Sequence, residues 1–358
     1  MSKDRFQAPD YYLIDELLTD EHKLIRDSVR EWVKKEVSPI IEDACQKCEF
    51  PKHLIKGLAE VGAFGPYIPA EYGGGGLDQI SYGLIMQELE RGDSGIRSTA
   101  SVQSSLVMYP IYTYGSEAQR KKYLPKLASG EWMGCFGLTE PDHGSNPGGM
   151  VTNIKDKGDH YLLNGAKMWI SNAPFAQVAV VWAKDEEGVI RGLIVERGMK
   201  GFTTPETHGK WSLRASATGE LVFDNVEVPK ENLLPNVKGL KGPLGCLNSA
   251  RYGIAWGALG AAMDCYDSAL RYSKERIQFG KPIGAFQKTK KKLAEMMAGK
   301  ARLLSDIIEK ALTTDEANKE DSTLKDQMNA FKNILIHDIT AKGFADVSPS
   351  ISSCSVFS

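Results

Sequence analysis

Leu24, Ile25, Val29, Trp32, Val33 and Val37 recur at helical spacing. Thr19, followed by Asp20 and Glu21, supplies a cap and places acids at the positive end of the dipole, so a helix is predicted from about residue 19. Pro39 ends it. Leu54, Leu58 and Val61 mark a short second helix, and Ile80, Leu84, Ile85 and Leu89 a third stripe. Arg120 to Leu127 predicts another helix, closed near Gly130, while the glycine run Gly73–Gly76 reads as a turn.

The pattern changes near Trp132. From there to about Val228, short apolar runs such as Val178-Ala179-Val180-Val181-Trp182 and Glu220-Leu221-Val222-Phe223 alternate with Gly, Asp, Asn and Pro, which predicts β structure. Helix returns at about Gly242, where Ile254, Ala255, Ala258, Ala261, Ala262, Cys265, Ala269 and Leu270 line one side. Leu293, Met296, Met297, Leu303, Leu304 and Ile307 continue that character, residues 312–326 read as a polar loop, and the Ser-rich end is expected to fray. The order α, β, α excludes a doubly wound sheet and predicts a multi-domain α+β fold. Its parts are an N-terminal helical domain over 1–131, a middle β-barrel or sandwich domain over 132–240, an incomplete C-terminal helical-bundle domain over 241–347 and a disordered tail over 348–358.

Composition adds little to this. With 358 residues, 42% hydrophobic and 25% charged, the chain reads as a soluble globular protein. A net charge of −2 supplies no basic field for nucleic acid, and no apolar run is long enough to span a membrane. The N-terminal segment lacks a secretory pattern and an Arg-rich transit pattern, and the six cysteines are mostly scattered, so a reducing compartment is expected, cytoplasmic or, for a mature eukaryotic chain, the mitochondrial matrix. Cys45-Gln46-Lys47-Cys48 has no second Cys or His pair at metal-binding spacing, so no metal site is expected.

Candidate chemistry lies in three stretches. Thr139-Glu140-Pro141-Asp142-His143-Gly144-Ser145-Asn146-Pro147 follows a strand and offers hydroxyls and free amides. Such a loop is by default merely polar, but it can also hold a pyrophosphate. Trp169-Ile170-Ser171-Asn172 ends a strand, either covering the β unit or presenting an aromatic ring and a hydroxyl to a flat cofactor. Arg97, Ser98 and Ser101 follow a helix and suit a carboxylate, although an Arg with no functional contact is the ordinary case.

Together these stretches, with Ser212-Leu213-Arg214-Ala215-Ser216-Ala217-Thr218-Gly219 and the segment from Gly245 to Gly257, resemble the acyl-CoA dehydrogenase family of flavoproteins over about residues 20–297. The chain is most similar to the members that act on glutaryl-CoA. The resemblance implies FAD as cofactor, an acyl-CoA substrate, a homotetramer and electron-transferring flavoprotein as acceptor, with no nucleic acid or membrane partner. It implies cofactor contacts from Phe136, Leu138, Thr139, Ser145, Trp169, Ile170, Ser171, Arg276 and Gln287. Arg97, Ser98, Ser101, Ser145, Asn248 and Arg251 stand where relatives bind substrate, Arg97 as clamp for a distal carboxylate. The implied reaction is α,β-dehydrogenation of glutaryl-CoA with decarboxylation to crotonyl-CoA.

The sequence departs from the family at the base. A Tyr-Glu-Gly-Thr-like segment carrying the family glutamate does not occur, nor does the Gly-Gly-containing FAD loop, and the likeness fades after about residue 297. The earlier helical position that some relatives use corresponds to Ala250. Glu309, Glu316 and Glu320 read as solvated charge, so the catalytic base is unassigned. Two expectations follow, a dehydrogenase, in a truncated or frameshifted form, or a catalytically impaired relative that binds acyl-CoA and flavin.

Overall fold

The computed structural model describes Asp10 and residues 14–299. Residues 303–326, the three glutamates noted above and the Ser-rich tail lie outside the described residues. The chain divides into two compact units, Ser28–Gly257 and a second drawn from Met1–Asp27 and Ala258–Ser358.

Helices α1 (Asp20–Trp32), α2 (Ile41–Lys47), α3 (Leu54–Glu60), α4 (Gln79–Gly92), α5 (Ser94–Ser101), α6 (Tyr109–Tyr114) and α7 (Glu117–Ala128) precede the sheet. Thr19 Oγ1 accepts the His22 amide at 3.2 Å, the cap its position predicts. The αL residue Cys48 closes α2, and Cys45 Sγ faces Asp93 Oδ2 at 3.7 Å. Burial and the Asp93 carboxylate raise the Cys45 thiol, which works against a reactive thiolate at that position.

The segment after α4 differs from its sequence reading. Arg97, Ser98 and Ser101 lie within α5, not beyond the last helical turn. Asp93 takes extended backbone between α4 and α5 and accepts the amides of Gly95 at 2.6 Å and Ile96 at 3.2 Å. The chain then passes through a π-helical turn, Val102–Met108, into α6. Few large apolar residues advertise this stretch, since Thr99, Ala100, Ser101, Gln103, Ser104 and Ser105 are small or polar yet buried.

The middle unit is a seven-stranded mixed sheet. Its strands are β1 (Gly134–Gly137), β2 (Asn153–Asp156), β3 (His160–Ser171), β4 (Val178–Lys184), β5 (Ile190–Glu196), β6 (Phe202–Thr203) and β7 (Thr218–Pro229), ordered β1-β4-β2-β3-β7-β6 with β5 on β4. β1 and β4 are parallel, but the chain between them makes the antiparallel β2–β3 pair rather than a crossover helix. Inward residues including Cys135, Ile154, Leu163, Val181, Leu193, Leu221 and Phe223 form one core. Each fully buried aliphatic there contributes about 1.5–3 kcal/mol.

Helix α8 spans Lys241–Glu275. Gly83 of α4 lies against the indole of Trp256, and a Cβ there would stand 2.3 Å from Trp256 Cε2, so this glycine lets α8 close on α4. In the second unit, Ile277–Gln278 (β8) and Lys281–Pro282 (β9) form a hairpin whose turn residues, Phe279 and Gly280, both have positive φ. Residues 287–299 are helical. Among the described residues no helix is long and apolar enough to cross a membrane, and no group of metal-binding side chains converges.

Candidate active site

The larger unit contains a cavity of about 420 Å³. Four elements make its wall. The end of β1 and the loop after it supply Phe136, Leu138, Thr139, Gly144, Ser145 and Pro147, and the end of β3 supplies Trp169, Ile170 and Ser171. The π turn adds Val102 and Leu106, and α8 adds Leu244, Leu247 and Arg251. Rings, aliphatics, hydroxyls and one guanidinium thus converge, a surface suited to a largely flat, partly anionic ligand.

Local backbone geometry explains how β3 presents its residues. The β3–β7 register shifts between Lys167 and Ile170, and Trp169 sits in that irregularity with φ 62°, unusual for a non-glycine residue. Its indole is 59% exposed and helps line the cavity instead of the core. Asn172, at φ 67°, then turns the chain, donating from Nδ2 to the Gly134 carbonyl at 3.2 Å and from its amide to Ala217 at 2.9 Å.

The loop after β1 is fixed at both ends. Met168 donates its amide to the Thr139 carbonyl at 2.9 Å. Glu140 is buried; its Oε2 accepts the Val151 amide at 2.7 Å and its Oε1 the Thr152 amide at 3.0 Å. Lys167, fully buried, donates from Nζ to Glu140 Oε1 at 2.8 Å and to the Leu138 carbonyl at 3.1 Å. Burial pushes the Glu140 carboxyl up, but hydrogen bonds from Lys167, Thr152 and Val151 outweigh it and hold the group below the usual carboxylate range. Burial lowers the Lys167 ammonium to about 8, with Glu140 offsetting only part of the effect.

Phe136, Leu138, Thr139, Ser145, Trp169, Ile170, Ser171 and Arg251 are brought together around the cavity. Asn248, exposed on α8, accepts from Arg251 Nη1 at 2.6 Å instead of lining the wall. Ala250 is buried. Arg97, Ser98 and Ser101 are not among the lining residues, and the Arg97 Nε donates to the Glu90 carboxylate in a largely buried ion pair. Arg276 and Gln287 belong to the second unit. The sequence reading passed over Leu106, Leu244, Leu247 and Glu90. An acid seven residues before an arginine was the available signal for Glu90, and the exposure of Leu244 in a helix became legible only in the fold.

Family models for the acyl-CoA dehydrogenase N-terminal, middle and C-terminal domains match residues 19–131, 135–226 and 238–337, the last reaching well past residue 297, where the likeness was expected to fade. Glutaryl-CoA dehydrogenase of Desulfococcus multivorans is 42% identical over 288 residues, 78% of this chain and 74% of that protein. The crystal structure of glutaryl-CoA dehydrogenase from Mycobacterium smegmatis superposes with a TM-score of 0.84 at 42% identity, covering 98% of this chain and 89% of that one. A second glutaryl-CoA dehydrogenase structure from that organism, in complex with FADH2, gives 0.79 at 38% identity, covering 94% of this chain and 95% of that one. With three successive domains matched in order and relatives this similar over most of their length, the chain belongs to the acyl-CoA dehydrogenase family, whose cofactor is FAD.

Proposed function

We propose that the chain holds FAD and an acyl-CoA thioester at the cavity and oxidises the thioester at its α,β bond, with glutaryl-CoA as substrate. The observation that carries this reading is the convergence of Phe136, Trp169, Thr139, Ser145, Ser171 and Arg251 on one wall. The two rings fit the flat face of a flavin, and the hydroxyls suit its polar edge and diphosphate. FAD, when bound, supplies the acceptor for the β-hydrogen, which leaves as hydride.

The other tasks fall to the protein's own groups. Leu138, Ile170, Leu244 and Leu247 exclude water from the reacting carbons. Arg251, held by Asn248, offers a fixed cation to the anionic ligand. Arg97 is the clamp for the distal carboxylate. Its Nε is committed to Glu90, an arrangement that orients the guanidinium and leaves its terminal nitrogens for a bidentate partner. Similarity to glutaryl-CoA dehydrogenases supports the same substrate. Electron-transferring flavoprotein is the acceptor, and a homotetramer the assembly, that accompany this reading.

A second reading rests on a specific observation. No aspartate or glutamate lines the cavity among the described residues, and buried Ala250 stands at the alternative base position. An impaired relative binds flavin and CoA ester without transferring hydride. Anaerobic titration of the FAD-loaded protein with glutaryl-CoA separates the two. Prompt loss of the oxidised flavin's visible absorption supports dehydrogenation. A perturbed spectrum without bleaching supports binding alone. Failure to retain FAD defeats both.

A further inference from the structure

The Glu140–Lys167 pair is buried beneath the cavity wall, not on it. Glu140 stands at the start of the loop that carries Gly144 and Ser145, yet its carboxylate receives the amides of Val151 and Thr152 at the far end. Within the loop, the Glu140 amide donates to the His143 carbonyl and the His143 amide returns to Glu140, each at 3.2 Å. Lys167 reaches from β3 to Glu140 and to the Leu138 carbonyl, one residue before Thr139. Thr152 also bonds back to β3, Oγ1 to the Ala166 carbonyl at 3.3 Å. It packs so closely on Gly165 that a Cβ there would meet Thr152 Oγ1 at 2.5 Å. The two cavity-lining segments, Leu138–Pro147 and Trp169–Ser171, are therefore tied through one carboxylate and one ammonium that do not line the cavity.

We propose that Glu140 and Lys167 are positioning residues for the cofactor wall: the charged pair closes the 138–152 loop on itself and on β3, and FAD affinity depends on that closure. The inference rests on the reading that FAD binds at this cavity. A buried carboxylate is costly, and the Lys167 cation adds to what the two amide bonds supply in holding Glu140 ionised. A neutral partner at 167 leaves Glu140 either charged and unpaired or protonated, and a protonated carboxyl is a poorer acceptor for both amides. Among ionisable groups, Glu140 alone acts on the Lys167 ammonium. Burial brings that ammonium down to about 8, so Lys167 loses its charge within an accessible pH range and leaves the Glu140 carboxylate without its cation.

The test compares wild type, Lys167→Met and the milder Glu140→Gln. Amide hydrogen exchange at Val151 and Thr152 is measured on the flavin-free proteins, and FAD affinity by quenching of flavin fluorescence across pH. Expected for both variants are faster exchange at those two amides with unchanged protection at β5, and FAD affinity lower by about tenfold or more. In wild type, affinity falls as pH rises through about 8, and Lys167→Met removes that inflection. Global stability gives an independent control of sign. A lysine with a lowered folded value, about 8 against 10.5, makes the fold more stable as pH rises between those values, the reverse of the expected affinity trend. FAD affinity within twofold of wild type in both variants, or affinity that follows global stability alone, overturns the proposal. If wild type itself takes up no FAD, the functional reading fails, while the exchange data still decide whether the pair closes the loop.

Discussion

Gln103 Oε1 accepts the backbone amide of Gly134 at 2.8 Å, while its Nε2 donates to the carbonyls of Leu127 at 2.8 Å and Trp132 at 2.9 Å. One buried amide side chain thus joins the π turn, the end of α7 and the first residue of β1. Gln103→Leu keeps the volume but removes three hydrogen bonds, those to the Gly134 amide and the Trp132 carbonyl among them, while the Leu127 carbonyl keeps the Gly130 amide at 3.3 Å. Destabilisation of about 2–4 kcal/mol is expected, measured by urea unfolding of the flavin-free protein. A loss below about 0.5 kcal/mol, the scale of a neutral surface change, shows that water or a rearranged neighbour replaces these bonds.

Arg97 carries the selectivity prediction. Arg97→Met should weaken glutaryl-CoA binding by about tenfold or more while butyryl-CoA binding stays within about twofold, since only the former presents a carboxylate to be stranded. Glu90→Gln, which loosens the guanidinium without removing it, should give a smaller shift in the same direction. Equal losses for both ligands, read by calorimetry or by flavin spectral shifts, assign Arg97 a structural role.

Trp169 offers a case in which stability and binding part company. Its backbone has φ 62°, a region that glycine occupies without penalty, and its indole buries little in the core. Trp169→Gly should therefore leave the melting temperature of the flavin-free protein unchanged or raise it, by relieving about 1 kcal/mol of backbone strain. The same change should markedly weaken FAD binding. A melting temperature and an affinity that fall together show that the ring serves the fold instead.

Ala250→Glu tests the missing base. The side chain is buried on α8, one residue before the cavity-lining Arg251. A positioned general base contributes typically 10²–10⁴-fold, so the variant should bleach flavin with glutaryl-CoA faster than wild type under anaerobic conditions. Rapid and complete bleaching by the wild type defeats the prediction and places the base on another residue of the chain.

Acid should reach Glu140 later than an ordinary glutamate, and at a cost in stability. The Glu140 carboxyl lies below its ordinary value of 4.5 in the folded state, so the group stabilises the fold above that value, and the contribution is lost as pH falls through the folded value. Glu140→Gln should accordingly show a flatter stability profile than wild type below pH 4.5, at the cost of lower stability near neutrality, measured by denaturant titration at a series of pH values.

The sequence is most informative where large apolar side chains recur. Ile80, Leu84, Ile85 and Leu89 announce α4 although that helix is buried on nearly every face, and the Gly- and Asn-punctuated apolar runs announce strands such as β4, which is buried on both faces. Residues 94–108 are harder to read because they are rich in small polar side chains that are buried and bond within the interior. Phe136, Thr139, Ser145, Trp169 and Ser171 were found as strings next to strand ends, and the fold places them on one wall. Glu140 stood in the same string and drew no attention, because its partners Val151, Thr152 and Lys167 are brought to it only by the β2–β3 turn-back. Leu244 and Leu247 look like any apolar helix residues until the cavity beside them is seen.

The wide turn at Val102–Met108 also sets the facing of the helix that precedes it. A π turn behaves as an α-helix with one residue to spare, and each α-helical residue advances the chain by about 100° around the axis. Removing a single residue between 102 and 108 would let the turn tighten to α geometry. The residue lost is the spare one, so α5 keeps its facing and Arg97 its pairing with Glu90; removing a second residue, from what is then an ordinary α-helix, would rotate α5 by about that angle and turn Arg97 away from Glu90. A segment that bears no charge therefore gives the Arg97–Glu90 pair one residue of tolerance: a one-residue deletion there leaves the pair intact, and a two-residue deletion breaks it without touching either side chain.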